Sequence, residues 1–203
     1  LAVATPTPLP SDRTSDGLQA LYTFTEGEGQ TVRPSEGANA PELIIDNPEG
    51  VEWLPDGGLR IVEPTIIASE GPASDLTRAL METNAITIET WLRPAQTVQY
   101  GPARIVTLSD SVATRNFLLG HGEAEGGDGA LYNVRLRTTG TDSNGMPGVL
   151  TEPYIIRPVL THVVYTRDAD GTASLYVDGA RRRIETVTGD FSNWNADFRL
   201  ALV

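Results

Sequence analysis

The feature that most restricts how this chain can fold is its rhythm. Short runs of alternating apolar and polar residues recur along it, and each is cut off by Gly, Pro or Asp. A period of two puts successive side chains on opposite faces of a strand, and frequent turn residues keep the strands short. Ile86-Thr-Ile-Glu-Thr-Trp-Leu92 shows it best: Ile86, Ile88, Thr90 and Leu92 share one face, Glu89 and Trp91 the other, and Pro94 stops the run. The same reading places strands at Leu18–Phe24, Leu43–Ile45, Arg104–Leu108, Asn116–Gly120, Tyr132–Thr138, Thr161–Thr166, Ala173–Asp178, Arg181–Val187 and Phe198–Val203. Val51–Leu54 and Leu59–Val62 flank Pro55-Asp-Gly-Gly58, a hairpin signal. About ten to twelve short strands result. One helix is expected, over Pro72–Met81, with Ser74 as its cap. Strands and helices do not alternate, so a doubly wound fold is disfavoured. Two packed antiparallel sheets are the natural solution.

Composition narrows the function classes. The 20 Gly and 14 Pro agree with many turns, and 39% apolar residues suffice for a core. Fifteen basic residues, all arginine, against 27 acids give a net charge of −12. Such a surface repels phosphate backbones and anionic lipid headgroups, so nucleic acid is not an expected partner. The absence of cysteine rules out disulfides, thiolate metal sites and thiol nucleophiles. No apolar run approaches the roughly 18 residues of a membrane-spanning helix. The opening LAVATPTPLPSDRTSD alternates Pro6, Pro8 and Pro10 with Thr and Leu, which favours an extended spacer. Residues 1–16 are therefore expected to be a linker or tether, of the kind that follows the export signal or lipid anchor of exported bacterial proteins, and 17–203 the folded domain. The start at Leu1 fits removal of an upstream segment.

Three motifs carry a resemblance: Ala20-Leu-Tyr-Thr-Phe-Thr-Glu-Gly-Glu-Gly29, Ile86–Leu92, and Leu160-Thr-His-Val-Val-Tyr-Thr166 running through Gly171 to Leu175-Tyr-Val-Asp-Gly179. The chain resembles laminin-G-like domains of the concanavalin A-like lectin/glucanase superfamily. The resemblance implies an all-β, two-sheet antiparallel jelly-roll sandwich in an extracytoplasmic protein, secreted or tethered at the cell surface, that recognises a glycan or a protein. It also implies a last strand beyond Phe198–Val203, pairing with the first near Leu21–Phe24. Without it, the Ala20–Phe24 edge is expected to be open or filled by a strand from another chain. Trp91 is expected to anchor the core, and His162 to be a satisfied structural histidine. In some relatives an Asp in the first loop takes part in calcium binding; here Pro34 stands in its place.

Catalysis finds little support. Retaining glucanases need two carboxylates about 5–5.5 Å apart, and the strand Ile86–Leu92 offers only Glu89. There is no G-x-S-x-G, H-E-x-x-H, P-loop or dinucleotide fingerprint, and the chain has two histidines, His121 and His162, far apart in sequence. Calcium remains open through Asp142 and Asn144 in Thr141-Asp-Ser-Asn-Gly145, through Ser109-Asp-Ser111, or through Glu123–Asp128; each also reads as a plain turn. For a ligand, Trp194 between Asn193 and Asn195 could stack on a sugar ring, or could be a core plug that fixes its loop. Tyr132 and Tyr154 pose the same choice. The sequence thus points to a non-catalytic binding or adhesion module, with a structural subunit docking through an open sheet edge as the alternative and a glycoside hydrolase as a remote third.

Overall fold

A computed structural model describes residues 15–99, 101, 103–122 and 130–202. Most of the Thr/Pro tract and the whole Glu123–Asp128 loop lie outside them. The strands are β1 (Thr31–Val32), β2 (Leu43–Ile45), β3 (Val51–Trp53), β4 (Leu59–Ile61), β5 (Ile67–Ser69), β6 (Ile86–Leu92), β7 (Ala103–Ser109), β8 (Arg115–His121), β9 (Tyr132–Leu136), β10 (Val149–Leu150), β11 (Thr161–Arg167), β12 (Thr172–Val177), β13 (Ala180–Thr186) and β14 (Arg199–Leu202). An eight-stranded sheet runs β1-β2-β5-β14-β7-β8-β9-β10, a four-stranded sheet β13-β12-β11-β6, and β3-β4 forms a separate hairpin. Every pairing is antiparallel. This is the all-β sandwich that the alternating segments predict.

The two sheets close on one core. Val32, Leu43, Leu108, Phe117, Leu119 and Val134 come from the large sheet; Ile88, Val163, Tyr165, Leu175 and Val177 come from the small one. In the small sheet the alternation is clean: buried residues on β6 and β11 are separated by residues that reach solvent in whole or part. On β8 every residue is buried, because loops cover the outward side of the large sheet as well.

The helix α1 spans Ser74–Thr83, two residues later than expected. Ser74 does not cap it; its hydroxyl donates to the carbonyl of Ala196. Asn84 ends the helix in the left-handed region at φ 50°. Its side chain donates to Ala169 O and accepts from the Phe191 N–H, tying the helix to two distant turns.

Two expectations need correction, on Ala20–Phe24 and on Trp91. Ala20–Phe24 is not a ladder strand. Only Leu21 is bridged, exchanging hydrogen bonds with the Ser35–Glu36 backbone at 2.7 and 2.9 Å, and Phe24 at φ 52° breaks the extended run. Its own chain thus occupies one side of Leu21. The strand nearest the end, β14, lies inside the large sheet, paired to β5 and β7. Trp91 does not anchor the core: it projects outward and is 56% exposed. The short strands β1 (Thr31–Val32), β5 (Ile67–Ser69) and β10 (Val149–Leu150) are additions to the strands read from the sequence.

Candidate functional site

The residues expected to hold a ligand are mostly consumed by the fold. Trp194 is 6% exposed. Its ring stacks on Phe191 at 4.4 Å and tilts against Phe117 at 6.1 Å, and its indole N–H donates to Arg137 O at 2.6 Å. Asn193 donates to Thr138 O. The backbone of Asn195 is clamped by the Asn116 side chain in both directions, and its own oxygen accepts from the Asp197 N–H. This loop is a plug in the core's end, and no face of Trp194 is left for a sugar. Tyr132 is fully buried, and burial raises its hydroxyl pKa to about 12. Its ring belongs to the core and not to a binding surface. Tyr154 is exposed.

In the turn where calcium was the expectation, Asp142 and Asn144 already hold partners. Asp142 Oδ1 accepts from the backbone N–H groups of Asn144 and Met146, both at 2.8 Å. Asn144 Oδ1 accepts from Arg135 Nη1 at 3.2 Å, so a cation there would face a guanidinium. Gly145 closes the turn at φ 72°, with its α-carbon so near the Leu136 backbone that a Cβ would lie 2.6 Å from Leu136 N. Among the described residues no group of three or more His, Asp or Glu is placed to hold a metal.

The outer face of the small sheet carries what the plug lacks. Register sets the rows: Trp91 lies opposite His162, and Glu89, Val164, Tyr176 and Arg181 form the next row across four strands. Trp91 and His162 stack at 4.4 Å with an interplanar angle of 16°. His162 Nε2 lies 2.9 Å from Glu89 Oε1. The His162 backbone N–H donates to Asp178 Oδ1 at 2.9 Å, which pins the strand end to the Asp178-Gly179 turn. The imidazole is therefore satisfied, as expected, but its role is to back an exposed indole. Trp91 is exposed beyond this stack, with the His162 imidazole against its ring and the Glu89 carboxylate bonded to that imidazole. An exposed aromatic beside hydrogen-bonding groups is the arrangement that binds the apolar face of a sugar or an interfacial side chain. The sequence held the signal for this face: Trp91 shares its parity with Glu89 and not with Ile86 and Ile88.

Known proteins share this architecture. Residues 69–202 match a laminin-G-type family of the concanavalin A-like lectin/glucanases superfamily. The chain belongs to that superfamily. No curated protein sequence matches it. Among solved structures, the binding domain of botulinum neurotoxin D/C in complex with rat synaptotagmin II superposes with a TM-score of 0.58 at 13% identity, covering 90% of this chain and 42% of that one. Botulinum neurotoxin type C, whose cell entry is described as dependent upon interaction with two ganglioside molecules, gives 0.57 at 12% identity, covering 91% and 42%. A Trypanosoma rangeli sialidase gives 0.53 at 15% identity, covering 98% and 30%. At these identities the likeness shows the fold. The chain spans less than half the length of each of these structures.

Proposed function

We propose that this chain is a non-catalytic, extracytoplasmic binding module that recognises a glycan or protein surface through the outer face of its small sheet. The carrying observation is Trp91, 56% exposed yet held rigid by the His162 stack, which is itself fixed by the Glu89 hydrogen bond. A large ring fixed in advance loses little conformational freedom on binding. Support comes from the structurally similar neurotoxins that engage a protein receptor or gangliosides. The reading as a non-enzyme rests on the acids of the small sheet. Strand β6 offers Glu89 as its one acid, and that carboxylate lies against His162, whereas retaining glycoside hydrolysis uses a pair of carboxylates.

Glycan-array screening followed by calorimetry tests this reading. Trp91→Ala is expected to weaken binding at least about tenfold, as loss of a central aromatic does, while the melting temperature stays near that of the parent chain. Silence across varied glycans and candidate receptor proteins, or full binding by Trp91→Ala, would overturn it. Hydrolysis of a polysaccharide above background would overturn the non-catalytic part.

A second reading, a subunit docking through an open edge, draws on β6. This seven-residue strand is the margin of its sheet, with β11 on one side and no strand among the described residues on the other. Unpaired backbone groups there are a template for a partner's strand. Strand exchange beside Ala20–Phe24 has less support, since Leu21 is already bridged to Glu36.

A further inference from the structure

The β6–β11 ladder determines which backbone groups of β6 remain open. In an antiparallel pair a residue's N–H and C=O point to the same neighbour, and successive residues alternate. His162 turns both of its groups toward Asp178: its carbonyl accepts from the Asp178 N–H at 2.8 Å, and its N–H donates to Asp178 Oδ1. Asp168, just past the other end of β11, likewise donates to Thr172 O at 2.9 Å. The groups that bond β6 are therefore those of Thr161, Val163, Tyr165 and Arg167. In register they meet Leu92, Thr90, Ile88 and Ile86. Thr87, Glu89 and Trp91 are left with their backbone groups aimed away from β11. No described residue bonds the backbone N–H or C=O of Thr87 or Trp91.

The other margins of the two sandwiched sheets are blunted. β1 and β10, the margins of the large sheet, are 2 residues long each. β13, the far margin of the small sheet, carries Arg181, Arg182 and Arg183 and a register shift between Leu175 and Tyr176. Short strands, basic side chains and bulges are the devices that keep a sheet edge from pairing with a foreign strand. β6 has none of them. It runs 7 residues, pairs β11 without a shift, and holds no Pro, Lys or Arg. On its inward side Leu92 packs on the core yet stays half-buried, so an apolar residue added beside it would complete its cover.

A second copy of this chain fits that edge poorly. Self-pairing over the whole strand about a two-fold axis sets Glu89 opposite Glu89, and like charges directly opposite are unfavourable. Two chains of net charge −12 also repel each other. A strand with a basic residue facing Glu89 gains where the copy loses. On the reading of β6 as a docking edge, on which this rests, we propose that the occupant is an extended segment of another protein, added as a strand beside β6. It places a basic residue opposite Glu89 and apolar residues at the alternate positions that face inward. Backbone bonds to Thr87, Glu89 and Trp91 supply the affinity, and the alternate side chains select the partner.

A displayed library of random linear peptides, selected on the whole chain, tests it, with calorimetry on the synthesised winning peptide. The expected winners alternate apolar with basic residues. Thr87→Pro removes one open donor and crowds an incoming strand, while the bonds to β11 stay whole; proline is tolerated where an edge strand faces solvent. The winning peptide is expected to bind Thr87→Pro at least about tenfold more weakly, with the melting temperature near that of the parent chain. Winners that bind Thr87→Pro as tightly as the parent chain, or no winners at all, overturn the docking edge and the proposal with it. Winners that lose binding to Thr87→Pro but carry no basic residue overturn the choice of occupant and leave the edge standing. Should Thr87→Pro fail to fold, the winning peptide is N-methylated at alternate residues, in two complementary sets, and titrated against the parent chain. Loss of binding with one set alone supports strand addition, because only alternate donors face β6. Equal effects of the two sets overturn it.

Discussion

Replacing Trp194 separates a core plug from a ligand platform. The indole is buried, stacked on Phe191, in contact with Phe117, and bonded to Arg137 O. Truncating a buried Trp to Ala costs about 3–5 kcal/mol through lost transfer energy and the cavity left behind. The Arg137 carbonyl, stripped of its donor, adds a penalty of about 1–3 kcal/mol where water cannot reach it. The two overlap, so about 4–6 kcal/mol is expected for Trp194→Ala, a large part of the roughly 5–15 kcal/mol that holds a domain together. At about 2–4 °C per kcal/mol for a chain of this size, the melting temperature falls by about 8–24 °C. Trp194→Phe keeps a six-membered ring but loses the donor and part of the indole's volume, so a smaller cost than for Trp194→Ala, about 1–3 kcal/mol, is expected. Trp91→Ala, on the surface, is expected to cost less than about 1 kcal/mol. Urea titration followed by far-ultraviolet circular dichroism measures all three without relying on tryptophan emission. A Trp194→Ala chain within about 1 kcal/mol of the parent, or a Trp91→Ala chain that is the more damaged of the two, would refute the plug.

Two further outcomes follow from side chains already described. Burial holds the His121 pKa below its ordinary value, against the opposing effect of its bond to Thr97 O. The unfolded chain therefore binds this proton more readily, so the stabilisation is complete above about pH 6.5 and lost as pH falls below it. Urea midpoints between about pH 7.5 and 5.5 should decline in the parent and decline less in His121→Asn; equal slopes would contradict the assignment. At the Asp142 turn, adding calcium or a chelator should leave the melting temperature unchanged, whereas Asp142→Ala should cost about 1 kcal/mol through its two backbone donors. A calcium-dependent rise that Asp142→Ala abolishes would restore a metal role.

How much is legible in the sequence depends on the reach of the interaction. Strands six or seven residues long, such as β6, β11 and β12, announce themselves through parity, and their turns through Asp and Gly. The sandwich class follows. The pairing of Trp91 with His162 is not legible, although both residues stand out, because they are far apart in sequence and meet only through the register of β6 with β11. The Trp194 plug depends on Arg137 and Phe117, which are remote along the chain.

Local chemistry alone therefore set where this chain extends, where it turns, and which residues share a face of a strand. On β6 it pointed two ways, because parity puts Trp91 with Glu89 while the size of the indole favours burial. A period of two defines two faces, but burial is decided by what packs against each of them. Size alone would send Trp91 inward, yet the opposing sheet took Ile86 and Ile88. The tertiary arrangement made that choice, and with it left the Trp91 indole exposed on the outer face of the small sheet.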